Sequence, residues 1–383
     1  MSNHSHITCL ADLADVALCP RLIIKVGSAL LVDRGGARRA WLDALVAEIA
    51  AAKRRGQDVI VVSSGAIALG AGTLGLDKGG RGCLADAQAA AAVGQIALSG
   101  LWAELLGGHG LTAAQLLLTL EDLEDRRRYL NVTATLTRLL DAGAVPVINE
   151  NDSVATQEIR FGDNDRLAAR VAQAAGASAV LLLSDVDGLY DRHPSEPGAA
   201  LLPVVKGVTP EIRAMASPLS GSGMGSGGMI SKLQAAEIAE IAGIALAIGN
   251  GTKDQPIARV IAQGIGTLFL PRTDRARGRA RKAWLGGRLR LKGSLTIDAG
   301  AAKALAQGSS LLARGITGIE GQFTRGDAVA ICDAAGAVLA HGLSEYDAGE
   351  CAALVGRHSS EHADILGYAP RSAIVHRDQL VMV

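Results

Sequence analysis

From Arg21 onward, short apolar runs rich in β-branched residues alternate with longer stretches whose apolar positions recur every three or four residues. The short runs predict strands over Arg21–Val26, Asp58–Val62, Thr112–Leu118, Val145–Ile148, Ala179–Leu183 and Ala245–Ile248, most of them followed by Gly, Ser or Asn. The longer stretches predict helices. In one of them Trp41, Leu42, Leu45, Val46 and Ile49 form a single apolar stripe, and Gly56 is placed to end it. Such alternation predicts an α/β fold, an αβα sandwich around an open, mainly parallel sheet. In sheets of this kind ligands bind beyond the carboxyl ends of the strands, so the polar residues that follow each run are where chemistry is sought.

Past Pro271 the apolar period stops, and RTDRARGRARK introduces five arginines. This divides the chain into an extension at 1–20, a large domain at 21–271, a basic linker at 272–280 and a smaller module at 281–383. The module consists of short strand-like pieces with Gly turns, among them LGGRLRLKGSLTID, RGDAVAICD and GAVLAHGL, and is expected to be β-rich. Residues 1–20 carry two histidines and no strong period, and are expected to attach loosely.

Composition narrows the function classes. A length of 383 residues exceeds one ordinary core, and 3% aromatics requires a core of small aliphatic side chains. With 38 basic and 38 acidic residues there is no overall field to hold nucleic acid or an anionic membrane. Cys9, Cys19, Cys83, Cys332 and Cys351 are odd in number and lack CxxC spacing, which argues for reduced thiols rather than disulfides or a zinc knuckle. The first Lys or Arg is Arg21, and no apolar run is expected to reach the roughly 18 residues of a membrane span. A cytoplasmic enzyme without signal peptide or membrane anchor is the expectation.

The strongest chemical signal is SGSGMGSGGMISK, Ser220–Lys232, running into LQAAEIAEIAG. Consecutive glycines let backbone N–H groups converge on one anion, the following helix aims its positive end there, and Lys232 adds a mobile charge. It is a phosphate cradle, but the GxxxxGK spacing of a Walker A loop is absent. Lys25, in an otherwise apolar strand that leads into Gly27 and Ser28, is a second phosphate candidate. Ser63, Ser64 and Gly65 can hold a carboxylate or cap a helix. The run VPVINENDSVATQEIRFGDNDR places Asn149, Glu150, Asn151, Asp152, Asp163, Asn164 and Asp165 after a strand and before a helix, where they could bind a zwitterion or build turns. Ser184, Asp185 and Asp187 follow another buried strand. Two formal matches are discounted: Gly70–Gly72–Gly75 lies too far past its strand for a dinucleotide fingerprint, and His358–Glu361–His362 lacks a third zinc ligand.

In this order these motifs resemble the amino acid kinase superfamily, and SGMGSGGMISKLQAAEIAEIAG with VINENDSVAT and FGDND is similar to its glutamate 5-kinase family. The resemblance covers 21–383, the tail with RGITGIEGQFTRGD and ILGY being similar to a PUA module, which implies a small C-terminal pseudo-barrel. It implies ATP and L-glutamate as substrates, Mg²⁺ held mainly by the ATP phosphates, no protein metal site, proline as feedback inhibitor, a homo-oligomer, and a downstream glutamyl phosphate reductase. By position, Lys25 and Lys232 match the phosphate-contacting catalytic lysines, and Asp165 the aspartate that holds them. Ser64, Asp152 and Asn164 match the glutamate-binding positions. Lys25, Ser184, Asp185 and the loop Ser226, Gly227, Gly228, Met229, Ile230, Ser231 and Lys232 match the nucleotide-binding positions. Ser184 and Ser226 depart from the more usual Thr but keep the hydroxyl. A kinase for N-acetylglutamate or aspartate, an RNA-binding protein with an inactive kinase-like domain, and a dehydrogenase remain as alternatives.

Overall fold

The computed structural model describes residues 6–33, 36–154, 163–192, 194–216, 228–272, 291–368, 370–371 and 373–383. The chain forms two compact units, one of Met1–Glu124 and Asn131–Ala276, the other of Arg277–Val383 with Asp125–Leu130. Apart from Arg272, the basic linker lies outside the described residues.

Among the described residues the main sheet of the first unit has eight strands: β1 (Arg21–Val26), β2 (Asp58–Ser63), β3 (Ala113–Leu118), β4 (Val145–Glu150), β5 (Ala179–Ser184), β6 (Val204–Lys206), β7 (Ala245–Asn250) and β8 (Thr267–Leu270). Their order across the sheet is β3-β4-β2-β1-β5-β7-β8-β6, and every neighbouring pair is parallel except β7 with β8. The chain first builds outward from β1 on the β2 side and then crosses back to lay β5 on the other, so β1 is the switch point of the sheet. Four expected strands run one or two residues further than their apolar pattern, so that Ser63, Asn149, Glu150, Ser184, Gly249 and Asn250 are strand residues. The short strands β6, at the sheet edge, and β8, next to it, are not legible as periodic runs.

Five helices position the site: α1 (Arg39–Arg54), α2 (Ala66–Leu74), α3 (Leu84–Gly108), α4 (Asp163–Ala175) and α5 (Met229–Ala242). The predicted stripe of α1 is buried, and Leu42, Leu45 and Ile49 join Leu22, Ile24, Val59, Val61 and Leu181 of the sheet in one core with Leu98 and Trp102 of α3. The opposite sheet face is covered by α4 and α5, which also pack on each other. A core of this kind stabilises through the apolar area removed from water, about 25 cal/mol per Å².

Two expectations are corrected. One apolar helix does meet the length and composition of a membrane span: α3, 25 residues with a mean hydropathy of 1.4 in its most apolar window. Its apolarity comes from Ala, Gly and Leu, and much of it is spent on α2. A Cβ on Gly70 would lie 1.9 Å from the Ala90 carbonyl oxygen, and one on Gly94 would lie 1.8 Å from that of Ala66. Only glycine permits so close a crossing, which explains Gly70 without a dinucleotide. Second, residues 6–20 are no loose extension. Leu10, Leu13 and Cys19 join the central core. The fully buried Gln57 amide donates to the carbonyl oxygens of Leu13 (2.8 Å) and Cys19 (2.7 Å), bracing the segment from inside.

Among its described residues the second unit carries five strands, β9 (Gly293–Ile297), β10 (Ile316–Gly321), β11 (Ala328–Cys332), β12 (Val338–Leu343) and β13 (Leu380–Met382), ordered β10-β9-β11-β12-β13. Leu295, Ile297, Phe323, Val329, Ile331 and Tyr346 form its own core. The His358–Glu361 pair closes a helical turn: the Glu361 carboxylate accepts from the His358 N–H at 2.8 Å.

Replacing Gln57 by Leu removes the amide that donates to the Leu13 and Cys19 carbonyls. Unfolding in urea is expected to show a loss of about 2 kcal/mol or more; an unchanged midpoint would mean that the segment before Arg21 is not held by this contact.

Candidate active site

Lys25 occupies the fifth position of β1, in register with Val62 of β2 and Leu182 of β5. Burying an ammonium there is costly unless an anion meets it. The anion is Asp165, at the start of α4 and fully buried, whose Oδ1 lies 2.6 Å from Lys25 Nζ. Its other oxygen accepts from Lys232 Nζ at 3.2 Å and from the Ser231 hydroxyl at 2.9 Å, both in the first turn of α5. One carboxylate thus holds two lysines from opposite parts of the chain. Burial by itself raises the Asp165 carboxyl, but Lys25 and Lys232 outweigh it and hold it at about 2. Burial pushes Lys25 below the ordinary lysine value; Asp165 opposes that shift and Lys232 adds to it. Two lysines and one carboxylate thus meet at the switch point of the sheet.

A second constellation lies at the ends of β2 and β4. Ser64 follows β2 and donates its N–H to the Val26 carbonyl at 3.0 Å, and Gly65 then takes a φ of +113° that turns the chain into α2. The Ser64 hydroxyl does not cap that helix; it accepts from Asn164 Nδ2 at 3.0 Å. The same nitrogen donates to Asn149 Oδ1 at 3.3 Å, and Asn149 Nδ2 donates to Gln95 Oε1 on α3 at 2.8 Å. Asn164 Oδ1 is buried without a hydrogen-bond partner among the described residues. Asp152 lines an adjoining cavity of about 510 Å³ together with Ala66, Gln95, Ser99, Gln115 and Glu150. Arg81 is near enough for the Asp152 charge to oppose the lowering that burial imposes on its guanidinium.

Ser184 ends β5 and its hydroxyl donates to Asp185 Oδ1 at 3.0 Å. Gly228 through Lys232 open α5. Ser226 and Gly227 lie outside the described residues. Asp187 is tied elsewhere, to Arg259 at 3.5 Å. The fold therefore joins Lys25, Asp165, Ser231 and Lys232 in one cluster, and Ser64 and Asn164 in another contiguous in sequence at Asn164–Asp165. Gln95 and Arg81 carry no sequence signal of their own: Gln95 is a single amide in an Ala-rich helix, and Arg81 follows a Gly pair in a loop. Among the described residues no group of three or more His, Cys, Asp or Glu could hold a metal ion.

Residues 20–250 match the model of the amino acid kinase family, and residues 293–366 match that of the PUA domain. Relatives similar along nearly the whole chain include the glutamate 5-kinases of Novosphingobium aromaticivorans, 71% identical over 98% of this chain and 100% of its own, and of Sphingopyxis alaskensis, 61% identical over 96% and 98%. That of Zymomonas mobilis is 56% identical over 95% and 92%.

Asp165→Asn leaves two buried ammonium groups facing a neutral amide, which is expected to cost about 3–5 kcal/mol at neutral pH. The folded carboxyl titrates near 2 against an ordinary 3.8. The unfolded state thus binds more protons between these values, and this stabilisation is complete above about pH 4 and fades as pH falls toward 2. Urea unfolding of both proteins across that range should show their difference shrinking on acidification; a pH-independent difference would contradict the ion cluster.

Proposed function

Because the chain belongs to the amino acid kinase family, as a member of its glutamate 5-kinase branch, we propose that it transfers the terminal phosphoryl group of ATP to the side-chain carboxylate of L-glutamate, giving L-glutamyl 5-phosphate. The observation that carries this reading is the pair of lysines held on one buried carboxylate at the switch point of the sheet.

A side-chain carboxylate is ionised near neutral pH, so the nucleophile needs no general base. The barrier is repulsion between that anion and a phosphoryl group already carrying spread negative charge. Catalysis then rests on in-line positioning and on fixed cations around the transferring group. Lys25 and Lys232 are the cations, and Asp165 is their positioning residue: it sets both ammonium groups before substrate arrives. Ser184, Asp185 and the turn opening α5 border the nucleotide. Ser64 and Asn164 take the glutamate, with Asp152 as the partner of its ammonium.

Both Asp165 oxygens are already engaged by ammonium groups, so this carboxylate is not free to be a metal ligand. That fits a Mg²⁺ ion carried in by the ATP phosphates and water, where it neutralises phosphate charge. On the same reading the labile acyl phosphate is passed to a reductase on the way to proline. Proline inhibits the first step, and the enzyme works as a homo-oligomer.

A coupled assay for ADP release is expected to show turnover with L-glutamate and little with N-acetyl-L-glutamate or L-aspartate. Lys25→Ala and Lys232→Ala should each lower kcat by about a hundredfold or more, with smaller changes in the Michaelis constants. Near-normal kcat in both variants would remove the mechanism. Asp152→Ala should weaken glutamate use by roughly 30-fold or more with ATP affinity kept. Equal losses for both substrates would instead make Asp152 a structural residue.

A further inference from the structure

We propose that Gln95, a helical residue of α3 outside the catalytic cluster, is a positioning residue for substrate: through Asn149 it fixes the Asn164 side chain with its carbonyl oxygen free to accept from the ammonium of the amino-acid substrate. The inference rests on the reading of Asn164 as a substrate-binding residue.

Primary amides have two faces of opposite polarity and nearly equal shape, so their neighbours alone decide which way they point. Three amides stand in series here. Gln95 Nε2 donates to Ser99 Oγ, one turn along the same helix, at 3.2 Å, which turns Gln95 Oε1 toward the sheet. Oε1 accepts from Asn149 Nδ2 at 2.8 Å. Asn149, 2% exposed and fixed in β4, therefore presents its oxygen to Asn164, which donates to it from Nδ2 at 3.3 Å. The same Asn164 nitrogen donates to Ser64 Oγ at 3.0 Å.

As the three amides stand, rotating any one of them alone breaks its links. Rotating the Asn149 amide by half a turn would set nitrogen against nitrogen at Asn164 and oxygen against oxygen at Gln95. Rotating Asn164 would set its oxygen against Asn149 Oδ1. With both links in place, the Asn164 nitrogen is spent and its Oδ1 is left buried with no hydrogen-bond partner among the described residues. A buried acceptor without a donor is unfavourable, and a donor brought by a ligand relieves it. An ammonium supplies N–H donors and no acceptor, which suits this oxygen and the Asp152 carboxylate. In such a series each amide polarises the next, so the effect of Gln95 reaches a group it does not touch.

Removing the Gln95 amide frees Asn149 to rotate, and then Asn164. The test compares Gln95→Met, which keeps length but loses the amide, with Gln95→Glu, which keeps an acceptor for Asn149. Glutamate is set beside glutarate, which has the same side-chain carboxylate and no ammonium. For Gln95→Met the Michaelis constant for glutamate is expected to rise about tenfold, the worth of roughly one hydrogen bond, with kcat, the Michaelis constant for ATP and the melting temperature held. The constant for glutarate, as substrate or as competitive inhibitor, should be the same in the variant and the unaltered protein. Gln95→Glu should stay within about threefold of the unaltered protein for glutamate. Equal rises for glutamate and glutarate, or no rise for glutamate, would overturn the proposal. If the Met variant does not fold, the Glu variant decides: a rise of about tenfold or more there overturns it too. Failure of the unaltered protein to release ADP with glutamate would instead defeat the functional reading itself.

Discussion

The buried carboxylate of Asp165 is the constraint on which the rest of the first unit depends. Two ammonium groups in an apolar interior repel each other and are each costly to desolvate, so neither lysine could stand where it does without a shared anion. Lys25 binds one oxygen, and Lys232 and Ser231 bind the other. This locks β1, α4 and α5 to one point. The strain against unfavourable burial is visible in the lysine whose proton affinity burial lowers, and in the carboxyl that both cations hold near 2. Two lysines thus share one carboxylate in a place that water reaches poorly.

Around this centre the fold separates two tasks that its chemistry requires. The cation cluster stands at the ends of β1 and β5, beside Ser184 and the start of α5. The uncharged cluster of hydroxyl and amide groups stands at the ends of β2 and β4. Asn164 and Asp165 are neighbours in sequence at the start of α4, so the two clusters cannot drift apart. The close glycine crossing of α2 and α3 lies beside Gln95, which accepts from Asn149 of β4.

Much of this was legible along the chain. The apolar runs gave the six principal strands, because a buried parallel strand is a local pattern that needs no partner to be seen. The Gly-rich segment leading to Lys232, the lysine within β1 and the Asn and Asp residues after β4 stood out because each breaks such a pattern with a group that is costly to bury. The short strands β6 and β8, three and four residues long, were missed, since their pairing and not their composition makes them strands. The membrane-like composition of α3 was missed as well: it is spread over Ala and Gly rather than concentrated in a bulky apolar run.

What the sequence by itself determined is therefore the kind of element at each place and the kind of chemistry at its end, both being properties of a few adjacent residues. The tertiary structure decided which of those ends meet. Lys25, Asp165 and Lys232 come together because β1 is where the order of strands reverses. Residues 10–19 belong to the core because a single buried amide, Gln57, answers two of their carbonyls. Gln95 is joined to Ser64 because two asparagines from distant parts of the chain bridge them. Each of these depends on distances between residues far apart in the chain, and such distances are fixed by packing and by charge, not by local pattern.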